Sequence, residues 1–257
     1  MKLSLFVLLL LAVSASSSKM NVQQKHRCEE YTSIFENDTT ELQYGYCENI
    51  HDGRGFTSGR AGFCTGTGDA VEVIRKYTAI KPNNSLKKYI HELEILSKHE
   101  SGDTSKLHGY CTAWKEAAND PEFRKCQDEI SDELYYKPAM HEANQANVQT
   151  ALGRCAFYDA IIQHGGGDDP DSLGAIIKRT KKLMNGIVNN NEHHWIMKFF
   201  DERKYILQHA HNVDTRKEWA QSIDRVDAMI KLANQNNWNL NVPMHIKTKD
   251  HDKTIKN

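Results

Sequence analysis

Seven glycines fall within the 34 residues from Glu36 to Asp69, ENDTTELQYGYCENIHDGRGFTSGRAGFCTGTGD, and no other stretch restricts the fold as tightly. A glycine adds no core volume. It is used where the backbone needs positive φ or where something must approach closely. The stretch opens with the carboxyl of Glu36 at the end of a helical pattern. It carries a second carboxylate, Asp52, in the turn Asp52-Gly53-Arg54-Gly55, and closes on a third, Asp69. Carboxylates on separate elements, with glycines and aromatics between them, suit the wall of a cleft.

Around this stretch the chain reads as helices. Asn21 to Asn37 places Val22, Tyr31, Ile34 and Phe35 on one face at helical spacing, with Glu36 at the C-terminal end, a placement that suits a proton donor. Residues 42–67 alternate Tyr, Gly, Cys and Thr with turn signals and predict a small antiparallel sheet. Asp69 is read as the N-cap of a helix to about Ile80, Ser85 caps the next, and Pro121 stands at the first position of another after Asp120. The longest uninterrupted helical pattern, Pro138 to His164, predicts a central helix. Asp159 sits in its most apolar part, where a charge is costly unless paired. Glu192–His211 and Thr215–Asn236 predict two more helices. The segment from Pro243, rich in Lys and Asp, predicts a loose tail. Residues 19–242 then form one domain of two lobes, without internal repeats.

Lys2, the apolar stretch from Leu3 to Val13 and the small residues after it predict a secretory signal over residues 1–18, too short to span a bilayer. The chain is therefore expected outside the cell and not in a membrane. Six cysteines, Cys28, Cys47, Cys64, Cys111, Cys126 and Cys155, allow up to three disulfides, with the pairing left open. Sequons stand at Asn37 and Asn83. A net charge of −1 offers no footprint for nucleic acid.

Several chemistries lack their residues. The 13 histidines include the pairs His91-Glu92 and His141-Glu142 but no HExxH, so no metal site is expected. The glycine runs at 66–68 and 165–167 lack the lysine of a phosphate loop, and there is no GxSxG elbow. Paired carboxylates remain. A lone Asp or Glu is ordinarily a solvated surface charge. Here Glu36 follows Ile34-Phe35, Asp52 is held in a tight turn and Asp69 joins the same region. Glycoside hydrolysis uses such a pair, one carboxyl protonating the leaving oxygen and the other activating water or attacking carbon, without a cofactor.

These residues, together with Tyr44-Gly45-Tyr46, Phe157-Tyr158-Asp159-Ala160, Gly167-Asp168-Asp169-Pro170-Asp171-Ser172-Leu173, Phe200-Asp201-Glu202-Arg203 and Asp214-Thr215-Arg216, closely resemble family 46 glycoside hydrolases, the chitosanases. The resemblance implies a mainly α, lysozyme-like fold of two lobes, with a small β-sheet region and a long central helix. It implies endo-hydrolysis of β-1,4-linked glucosamine in chitosan with inversion, by a monomer. Glu36 matches the general acid, Asp52 the general base and Thr57 the threonine that helps hold the water. Arg54, Asp69 and Tyr136 match cleft residues. Asp159, Arg203 and Arg216 match an ion network behind the acid. In an inverting enzyme the carboxyls stand about 6.5–9.5 Å apart. The alternatives are a lysozyme-like or chitinase-like hydrolase of N-acetylated polymers and a non-catalytic polysaccharide-binding protein.

Overall fold

Apolar residues at helical spacing fill most of the chain, and the computed structural model places helices on nearly all of them. It describes residues 20–213 and 215–257. The expected signal segment and Asp214 lie outside the described residues. In chain order the elements are α1 (Val22–Asn37), β1 (Cys47–Asn49), β2 (Phe56–Ser58), β3 (Phe63–Cys64), α2 (Asp69–Ile80), α3 (Ile90–Lys98), α4 (Tyr110–Ala117) and α5 (Pro121–Ser131). A π-helical turn over Asp132–Tyr136 then leads into α6 (Lys137–Gln145) and α7 (Ala151–His164). Next come α8 (Leu173–Leu183), α9 (Glu192–Gln208), α10 (Arg216–Gln221), α11 (Ile223–Asn234), β4 (Met244–Lys247) and β5 (Asp252–Ile255). Among the described residues no helix is long and apolar enough to cross a membrane.

Two cores make two lobes. The smaller holds Phe63, Val73, Leu93, Tyr110, Trp114 and Phe123, from α2 to α5 and the antiparallel sheet β1-β2-β3. The larger packs α1 and α6 to α11 around α7. Helix α7 is buried on nearly every side, which makes it the central helix. The π-helical turn joins the lobes. α1 ends between them and delivers Glu36 there.

The capping chemistry explains the helix boundaries. Asn21 closes a capping box with Gln24 at the start of α1. Val22, expected inward, is 81% exposed, and the buried face is carried by Cys28, Tyr31 and Ile34. The single helix expected from Pro138 to His164 is two. Asn147 adopts positive φ after α6, and Thr150 caps α7 by accepting from the Gly153 amide at 3.2 Å. Glu192 fixes this corner, accepting from the amides of Gln149 and Thr150 and from the Thr150 hydroxyl. The helix expected over Thr215–Asn236 also divides, between α10 and α11.

The expected loose tail is a β-hairpin. Met244 pairs with Ile255 and Ile246 with Lys253. Met244, Ile246 and Ile255 are buried in the larger core. The Arg27 guanidinium donates to the Asn257 and Leu240 carbonyls. The alternation Met-His-Ile-Lys was the strand signal, masked by the charges around it.

Two disulfides form where up to three were allowed. Cys28–Cys155 ties α1 to α7, and Cys47–Cys111 ties β1 to α4. Cys64 and Cys126 are buried thiols. Replacing both Cys47 and Cys111 with Ala frees a loop of sequence separation 64. This double change is expected to lower stability by about 4 kcal/mol. Denaturant unfolding checks it, and a loss below about 1 kcal/mol would show that the smaller lobe stands without the cross-link.

Candidate active site

The glycine turn is locked by its own chain. Gly53 and Gly55 both have φ of +84°, and a Cβ on Gly55 would lie 2.2 Å from Thr65 Oγ1. That hydroxyl accepts from the Phe56 amide at 3.0 Å, and the Gly66 amide donates to the Arg54 carbonyl at 2.9 Å. The segment Thr65 to Gly68 thereby clamps the turn that carries Asp52.

Between the lobes lies a cavity of about 670 Å3, lined by Thr32 and Glu36 of α1, Arg54, Thr57 of β2, Asp69 of α2, Tyr135 of the π-helical turn and Tyr158 of α7, among others. Asp52 stands beside it. The Arg54 guanidinium grips Asp52 Oδ2 at 2.6 and 2.8 Å, while the Arg54 amide donates to Oδ1 at 3.0 Å. These bonds from Arg54 hold the Asp52 carboxyl below its usual range, so it is ionised at neutral pH. Thr57 is buried, with its hydroxyl 3.6 Å from Cys64 Sγ on the paired strand. Asp69 begins α2, where the helix dipole favours an anion. Its Oδ1 accepts from the Thr67 hydroxyl and from the amides of Cys64 and Ala70.

Behind Glu36 stands a buried ion network. Arg225 Nη1 donates to Glu36 Oε1 at 2.6 Å. Arg225 Nε and Nη2 hold Asp159 from one side, at 2.7–3.0 Å. Arg203 Nη2 lies 2.8 Å from Asp159 Oδ2 on the other side. Thr32 adds a hydrogen bond to Asp159 Oδ1 at 2.9 Å. Burial works against the charge on Asp159, but Arg225 and Arg203 outweigh it and hold the carboxyl down at about 2. His164 completes the cluster. Its Nδ1 lies 2.8 Å from the Asp171 carbonyl, and Nε2 accepts from Arg203 Nε at 3.3 Å. Burial and the nearby Arg203 push its pKa down to about 3, so it is neutral.

Two site assignments are corrected here. Arg216 is not in the network: its guanidinium donates to the carbonyls of Ala210 and His211. The second arginine is Arg225, on the buried face of α11 with Val226, Met229 and Leu232. The rule that singled out Asp159, a charge on an apolar face, also applied to Arg225. Tyr136 does not line the cleft. Its ring packs on Tyr158 and beneath the Lys25 ammonium on the far side of the π-helical turn, whereas its neighbour Tyr135 lines the cleft. Sequence spacing gave no sign of that turn, which shifts the facing residue by one.

Arg60 and Glu29 were also missed. Arg60 lines the cleft floor and bridges Glu29 of α1 at 3.0 Å and Asp128 of α5 at 2.5 Å. Asn37 lines the cleft as well, so a glycan there would stand in it, while Asn83 is exposed in a turn away from it.

A helical two-lobed fold with acidic residues along the intervening cleft defines a lysozyme-like glycoside hydrolase. The model of glycosyl hydrolase family 46 matches residues 30–244. A chitosanase of Bacillus subtilis (strain 168) is 50% identical over 250 residues, spanning 96% of this chain and 90% of the relative. The crystal structure of a native chitosanase from Bacillus subtilis MY002 superposes with a TM-score of 0.82 at 52% identity, covering 93% of this chain and 100% of that one. A Gynuella sunshinyii chitosanase complexed with chitotetraose superposes with a TM-score of 0.80 at 42% identity, covering 92% and 99%. The chain belongs to glycosyl hydrolase family 46 and is a glycoside hydrolase of the chitosanase type.

Proposed function

We propose that this chitosanase is a secreted enzyme that cuts β-1,4 linkages between glucosamine units from within the chain, with inversion, using Glu36 as general acid and Asp52 as general base. The observation that carries the reading is that Glu36 lines the cleft, held by Arg225, while Asp52 is held separately by Arg54, itself a lining residue. Glu36 gives its proton to the glycosidic oxygen as the bond from that oxygen to C1 breaks. Water attacks C1 from the opposite face and yields its proton to Asp52, so the new reducing end is the α-anomer. The Thr57 hydroxyl in the cleft wall orients that water.

Charge supports the substrate. Glucosamine units carry ammonium groups, and Glu29, Glu36 and Asp69 line the cavity with Asp52 beside it. The arginines there are already paired, Arg54 with Asp52 and Arg60 with Glu29 and Asp128. Asp69 is placed to accept from a substrate ammonium. The same reading fits a relative, a chitosanase of Bacillus subtilis MY002 solved as a mutant complexed with 6 GlcN, superposing with a TM-score of 0.82 at 51% identity. Secretion is supported by the apolar stretch after Lys2 and by the two disulfides, which persist in oxidising compartments.

The test is hydrolysis of a glucosamine hexamer beside its fully acetylated counterpart, with anomer analysis of the first products. Cleavage of the glucosamine chain alone, releasing α-anomers, is expected. β-Anomers would remove the inverting assignment, cleavage of only the acetylated chain would change the substrate, and binding without cleavage would leave a sugar-binding protein.

A pH effect follows from Arg54. The base must be ionised, so activity falls as pH drops through the pKa of Asp52, which Arg54 holds low. Arg54→Ala is therefore expected to move the acidic limb of kcat/KM to higher pH, toward the ordinary carboxylate range of about 4. An unmoved limb would assign it to another group.

A further inference from the structure

Most buried guanidinium groups in this protein meet a carboxylate. Arg60 holds Glu29 and Asp128, Arg203 holds Asp159, and Arg225 holds Asp159 and Glu36. Arg154 does not. It lies on α7, one and a half turns before Asp159, and is 1% exposed. Among the described residues no carboxylate makes an ion pair with it. Nη2 donates to Asn144 Oδ1 at 2.8 Å. Nη1 faces only the thioether of Met140, a weak acceptor, at 3.7 Å. Nε is buried without an acceptor. Arginine does not escape this by losing its proton.

The same side chain lines a cavity of about 530 Å3, separate from the cleft and behind the π-helical turn. Met20, Tyr136 and Met140 give it apolar walls. Two ammonium groups at its edge are already neutralised. Lys25 holds Asp132 at 2.5 Å, and Lys137 holds Glu133. Arg154 is thus the wall's cation without an ion pair, the Glu192 carboxylate acting on it only from beyond contact.

We propose that this cavity is a binding site for a small carboxylate with an apolar tail, its head paired to Arg154. A planar guanidinium with unused N–H groups matches a carboxylate. The apolar walls favour a ligand that brings hydrocarbon with its charge over a fully hydrated inorganic anion. Met140 is the gate. Its sulfur occupies the place beside Nη1 that a carboxylate oxygen would take, and an unbranched methionine moves aside readily.

The test is thermal unfolding of the purified protein in rising sodium butanoate at constant ionic strength. A saturable rise in Tm is expected for the wild type, since a ligand that binds only the folded state stabilises it. Arg154→Met is expected to show no such rise. It should also be at least as stable as the wild type in anion-free buffer, because it replaces an unpaired buried charge with an apolar chain of similar length. Met140→Ala keeps the head group and opens the gate, so its half-saturating concentration should fall several-fold. An equal rise in Arg154→Met and wild type, or no rise in the wild type, overturns the site. An unchanged half-saturation in Met140→Ala overturns the gate even if Arg154→Met fails to fold. Sodium sulfate acting through Arg154 at lower concentration than butanoate overturns the carboxylate assignment.

Discussion

Glu36→Gln is expected to lower kcat on a glucosamine hexamer by about 10²–10⁴-fold, the range that a positioned general acid contributes. The substitution changes little else. Glutamine has the same length, and its amide oxygen can still accept from Arg225 Nη1, which lies 2.6 Å from Glu36 Oε1. Arg225 remains anchored by three bonds to Asp159. Glu36 itself is exposed at the cleft, and the buried Arg225 keeps the Asp159 carboxylate as its counter-charge. KM should therefore stay near the wild-type value and stability should change by less than about 1 kcal/mol. The loss should be specific to protonation of the leaving group. A glucosamine substrate with a leaving group that departs as a stable anion, such as a dinitrophenolate, should recover much of the rate. Steady-state kinetics on both substrates measure this. A kcat within threefold of wild type on the hexamer would dismiss Glu36 as the acid, and equal losses on both substrates would assign it a binding role.

The stretch from Glu36 to Asp69 was legible because its constraints are local. Positive φ at Gly53 and Gly55, a carboxylate just before them and the first acidic residue of α2 are consequences of short sequence patterns. The cleft was legible for the same reason, since Glu36, Arg54, Thr57 and Asp69 reach it through neighbouring elements. Asp159 announced a partner by being charged in an apolar helix, but not which one. Arg203 and Arg225 come from α9 and α11, and their meeting depends on how three helices cross. Arg216 lay close to Arg225 in sequence and was the wrong choice because its helix turns its guanidinium toward two carbonyls. Tyr136 failed for a related reason: one π-helical turn rotates Tyr135 into the cleft in its place. The cysteine count bounded the disulfides without pairing them, and pairing is set by distances that no spacing reveals.

The ion network supplies the second large effect. Asp159→Asn is expected to destabilise the protein by about 3–5 kcal/mol, the cost of breaking a buried ion pair from one side. Asparagine keeps the shape and one acceptor oxygen. It cannot balance Arg203 and Arg225, both buried and both pointed at the lost charge. Arg203 Nη1 already lacks an acceptor, so the cluster has no spare bond to offer. Activity should fall with stability, because Arg225 loses the anchor that aims it at Glu36. The double variant Asp159→Leu with Arg203→Met separates the two effects. It removes one charge of each sign and leaves Arg225 paired with Glu36, so part of the stability should return while the rate does not. Denaturant unfolding and hexamer kinetics on the same samples read both. The sign with pH is fixed by Asp159, whose folded pKa of about 2 lies below its unfolded value. Its stabilisation is complete above the unfolded value of about 4 and is lost as pH falls through the folded one. Wild type should therefore lose stability between about pH 4 and 2 more steeply than Asp159→Asn. Parallel acid-unfolding curves would mean that Asp159 is not the group that holds the two arginines together.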